Sequence, residues 1–84
     1  MIDQLYKTMS YIDTDISNLR AIRNHAEKNY QKARVFARNA FIDCRAAEGY
    51  LSPFEETLSM LDNEIERLYG IKDALRKELL QSDN

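Results

Sequence analysis

Two residues of this chain have side chains suited to nucleophilic or metal chemistry: His25, the only histidine, and Cys44, the only cysteine. Nucleophilic catalysis needs a base within hydrogen-bond reach of the thiol. Nothing in the sequence pairs His25 with a cysteine nineteen positions away. A zinc site needs several Cys or His ligands, and a di-iron bundle needs Glu-x-x-His. Ile22 stands where that Glu would be. His25 is therefore expected to be solvated, and Cys44 to pack in a helical seam. No catalytic residue, metal ligand or cofactor site is expected, and the chain does not read as an enzyme.

Charged residues give two further candidates. Asp62, Glu66 and Asp73 fall on one face of a helix and could gather a cation. An acidic face turned toward arginines is the simpler expectation. Arg20, Arg23, Arg34, Arg38 and Arg45 fall within about 60° of one another on an ideal helix. Arginine suits phosphate, so this row is the candidate nucleic-acid face. Glu27 interrupts the sector, and the net charge is −2, so nucleic acid is the weaker alternative.

The elements that carry these residues are helical. Gly and Pro are nearly absent, 31 % of residues are charged and 44 % hydrophobic. That balance suits long amphipathic helices. Residues Ile2, Leu5, Met9, Ile12, Ile16, Leu19, Arg23, Ala26, Tyr30, Ala33, Ala37, Ala40, Cys44 and Ala47 recur at alternating spacings of three and four. The stripe predicts one helix over about residues 3–48. The segment YIDTDIS, Tyr11 to Ser17, is rich in weak helix formers, yet the stripe passes through it unbroken. The alternative is a kink near 13–15 that folds the chain into a three-helix bundle.

Gly49 can cap a helix C-terminus, and Ser52, Pro53 and Glu55 form a capping-box pattern. These residues predict a turn over 49–52 and a second helix over about 53–80. Its stripe is Phe54, Leu58, Leu61, Ile65, Leu68, Ile71, Leu75 and Leu79, with Gly70 outside it and QSDN as a frayed polar end. The expected fold is all-α: a single antiparallel helical-hairpin domain over residues 1–84, coiled-coil-like and self-associating. Folding about 49–52 pairs residues whose numbers sum to about 101, setting small Ala33, Ala37 and Ala40 against large Leu68, Ile65 and Leu61. Charge agrees, because residues 20–45 carry a net +5 and residues 46–84 a net −5.

That register leaves Ile2, Leu5, Met9, Ile12 and Ile16 without a partner. Val35, Phe36 and Ile42 likewise point away from the seam. These eight residues are the expected interface, with another copy (a dimer or larger) or with another protein. The expected function is a non-enzymatic protein–protein interaction module of the adaptor, chaperone or inhibitor type, working as a homo-oligomeric helical bundle. The alternatives are nucleic-acid binding through the Arg row and small-ligand sequestration between subunits. The N-terminal MIDQLYKTMSYID lacks a basic segment and an apolar run, and no stretch reaches the roughly 20 apolar residues of a membrane span. A cytoplasmic protein without a membrane partner is expected.

Overall fold

The computed structural model describes residues 2–82; Met1 and the last two residues of QSDN, Asp83 and Asn84, lie outside the described residues. Two helices of equal length, 39 residues each, make up almost the whole of it: α1 (Ile2–Ala40) and α2 (Cys44–Ser82). They lie against each other as an antiparallel hairpin 63 Å long.

YIDTDIS is helical throughout, so neither the kink near 13–15 nor the three-helix bundle forms. Thr8 and Thr14 resolve their local conflict within the helix. Their hydroxyls donate to the carbonyls of Gln4 (2.9 Å) and Ser10 (3.1 Å), one turn back.

The turn lies eight residues earlier than the glycine and proline suggest. α1 ends at Ala40, not near residue 48, and residues 41–43 make the connection. The Phe41 amide donates to the Ala37 carbonyl at 3.0 Å, closing the last turn of α1. Asp43 then caps α2, its Oδ1 accepting from the Arg45 amide at 2.9 Å. Gly49, Ser52 and Pro53 lie inside α2, which starts at Cys44 rather than near residue 53 and runs to Ser82. Gly49 has no positive φ and is not a C-cap. Pro53 forgoes one backbone hydrogen bond, and its ring crowds the carbonyl four residues back. That carbonyl belongs to Gly49, an exposed glycine whose backbone adjusts without a side chain in the way.

Coverage of α1 explains the shift. Interior Pro and Gly cost roughly 3 and 1 kcal/mol. A turn at 41–43 makes the helices equal, so α2 reaches the N-terminal half of α1. Ile12 and Ile16 are then buried with Leu68 in a cluster flanked by Leu19 and Leu75. Burying each such side chain is worth about 1.5–3 kcal/mol, and Leu5 and Met9 are half-buried as well. The unpartnered arm expected from the sequence is thus part of the intramolecular core.

Both stripes keep their phase while their offset changes. Asp13 pairs with Lys72, Arg23 with Asp62 and Tyr30 with Glu55; each pair of numbers sums to 85, not 101. In this register Ala33 stands opposite Leu51 and Ala26 opposite Leu58, so small still meets large. Ala33 and Ala37 are buried, whereas Ala40 is exposed. Cys44 is also exposed, as the first residue of α2 rather than a seam residue. Ile71 lies at the seam's edge, 37 % exposed, and half-buried Lys72 takes the place beside Ile12.

Candidate functional interface

A two-helix hairpin has a seam and two flanks, and here the flanks differ in chemistry. One carries the polar links between the helices. Lys72 Nζ reaches Asp13 Oδ1 at 2.6 Å, and Arg23 Nε reaches Asp62 Oδ1 at 3.0 Å. Arg20 Nη1 donates to the Tyr69 hydroxyl at 3.3 Å, and the Tyr30 hydroxyl donates to Glu55 Oε1 at 3.3 Å. The hydrogen bond to Asp62 holds the Arg23 guanidinium above its ordinary range. Desolvation, and then the Glu55 carboxylate, push the Tyr30 phenol up.

The other flank carries large apolar side chains, with polar residues such as Asp15, Asn18 and Asn29 between them. At about 100° per residue, Tyr11, Ile22 and Phe36 fall on this side of α1, and Tyr50, Met60 and Ile71 on this side of α2. All six are exposed large hydrophobic residues. They form three layers along the hairpin: Tyr11 with Ile71, Ile22 with Met60, and Phe36 with Tyr50. Between the last two lies a shallow depression of about 290 Å³ lined by Ala26, Asn29, Pro53, Phe54 and Thr57. Glu64 and Arg67, on the same flank, neutralise each other through a 3.0 Å bond that holds the Glu64 carboxyl below its usual range.

Aromatic rings close the turn end of this flank. Phe36 and Phe41 meet edge to face, and Tyr50 lies 5.3 Å from Phe36, 5.6 Å from Phe41 and 5.7 Å from Phe54. The cluster ties the last turn of α1 to the first turns of α2.

The eight expected interface residues divide. Ile12 and Ile16 are buried within the chain, Leu5 and Met9 half-buried, and Ile2 is 38 % exposed. Val35 and Phe36 are exposed near the turn, and Ile42, in the turn, is fully exposed. Sequence reasoning missed Tyr11, Ile22, Tyr50, Met60 and Ile71 as surface residues of one flank. For Tyr11, Ile22, Tyr50 and Met60 the signal is their place just outside the seam, which becomes a common face once the register is known; Ile71 stood in the expected stripe itself.

Four of the five expected arginines, Arg20, Arg23, Arg34 and Arg38, stay on α1. Arg45 belongs to α2, across the turn from the other four. Arg23 is held by Asp62 and by Glu27 at 3.4 Å, Arg20 by Tyr69, and Arg34 lies over the Tyr30 ring, 5.7 Å from its centre. Asp62 and Asp73 face arginines, Arg23 and Arg76, and His25 is exposed. Among the described residues no group of three His, Cys, Asp or Glu side chains could hold a metal ion. No described helix is long and apolar enough to cross a membrane.

No known family model, curated protein sequence or solved structure matches this chain.

Proposed function

We propose that this chain is a non-enzymatic protein–protein interaction module of the adaptor, chaperone or inhibitor type, and that its apolar flank seats helices of another chain. One observation carries the reading: six large apolar side chains share one flank, while the polar links between α1 and α2 lie on the other. Large exposed apolar side chains gathered on one flank of a small protein support an interaction site there. Helices are fitting occupants, because they pack through rows of side chains set three or four apart. A cytoplasmic location suits the single exposed thiol of Cys44, which a reducing compartment keeps free.

The test compares capture by the wild type and by Ile22→Asp with Met60→Asp, at about 0.1 M and about 0.5 M salt. The reading expects binding that survives the higher salt and disappears in the double variant. Capture that the variant retains, or that collapses with salt and is replaced by nucleic acid, would overturn it, because phosphate contacts weaken steeply as salt rises.

A further inference from the structure

We infer that the occupant of the apolar flank is a second copy of this chain, related by a two-fold axis along the hairpin, so that both turns lie at the same end of a four-helix bundle. The inference rests on the flank being the association surface, and it adds the partner and its orientation.

Area is the first argument. The chain exposes 6591 Å². A compact monomer of its 9.9 kDa mass would expose about 5,200 Å². The excess, about 1,400 Å², exceeds the roughly 800 Å² that each partner contributes to a stable interface. A hairpin 63 Å long offers that much contact along one flank.

Self-complementarity is the second. A two-fold axis along the hairpin lays α1 of each copy on α2 of the other, layer over layer. Ile22 then meets the partner's Met60, Tyr11 meets the partner's Ile71, and Phe36 meets the partner's Tyr50. The first two pairs have numbers summing to 82. The same sum sets Asp15 against the partner's Arg67 and Glu64 against the partner's Asn18, so no like charges meet. Turning one copy end for end keeps Ile22 and Met60 near the middle but sets Asp15 against the partner's Asn29 and Arg67 against the partner's Pro53, so the pairing of opposite charges is lost. Charge therefore selects the arrangement with both turns together.

The experiment uses the full chain and its native thiol. Mass in solution is measured by sedimentation at micromolar concentrations, and a spin label on Cys44 reports the distance between copies. The inference expects a dimer with labels under about 30 Å apart, the width of a four-helix bundle plus the label arms. A dimer with labels near the 63 Å hairpin length, or a monomer, would overturn it. Asp15→Arg should break the dimer, and adding Arg67→Asp should restore it. Helix content by circular dichroism shows that each variant folds, and an unchanged dimer in Asp15→Arg also overturns the inference. A monomer that still binds a different helical protein through Ile22 and Met60 would sink the second copy and leave the interaction module standing. A monomer insensitive to those substitutions would sink both.

Discussion

Lys72 Nζ lies 2.6 Å from Asp13 Oδ1, joining the segment YIDTDIS to the far half of α2. Lys72 is half-buried, so its aliphatic stem is largely covered while its ammonium pairs with Asp13. The contact marks the offset between the helices. Cysteines placed at 13 and 72, with Cys44 replaced by Ser, should therefore cross-link readily within one chain. With a turn at 49–52, residue 72 would instead lie beside residue 29, roughly 24 Å away at 1.5 Å per residue. Efficient cross-linking of 29 with 72, and none of 13 with 72, would reject the register.

Gly49 and Pro53 now stand in a helix interior, so replacing them should stabilise the protein. A Cβ at Gly49 meets nothing within 4 Å and φ is not positive there. Gly49→Ala should add about 0.5–1 kcal/mol. Pro53→Ala restores a backbone donor and should add up to about 3 kcal/mol. Denaturant unfolding measures both. A loss in both variants would return the turn to 49–52, where the glycine is a cap and the proline a first helical residue.

Asp43 is the start signal of α2. Asp43→Ala removes the acceptor for the Arg45 amide and should cost about 0.5–2 kcal/mol. Ser52→Ala, by contrast, changes an exposed position inside α2 and should leave the melting temperature within a degree or two, or raise it slightly. The opposite order of effects would show that Ser52 is the cap.

Packing at the turn end is tight at one alanine and open at another. Ala37 is 1 % exposed, so Ala37→Leu should overpack the seam and cost about 1–3 kcal/mol. Ala40→Leu lies outside the core and should change stability little. Ile16→Ala, in the cluster with Ile12 and Leu68, should cost about 2–5 kcal/mol. If Ile16→Ala were tolerated while Ala40→Leu unfolded the chain, the core would lie elsewhere.

The sequence by itself determined that the chain is two amphipathic helices folded back on each other, and the phase of most side chains in each seam, Ala40, Cys44 and Ile71 excepted. It also determined that YIDTDIS is helical, because Ile12 and Ile16 continue the spacing of three and four across it. Periodicity carries that information directly, since a residue's angle on a helix depends only on its number. Offset between the helices is another matter. A stripe spaced three and four apart can slide along its partner by steps of that spacing and still present apolar groups. The turn was the only local guide to the offset, and Gly49, Ser52 and Pro53 gave the wrong one. Tertiary structure decided it by coverage: placing the turn at 41–43 sheathes Ile12 and Ile16, which outweighs a proline and a glycine left in a helix. The same choice put Arg45 on α2, exposed Cys44, and gathered Tyr11, Ile22, Phe36, Tyr50, Met60 and Ile71 on one flank. That flank is a property of two helices in one register, so neither helix's sequence contains it alone.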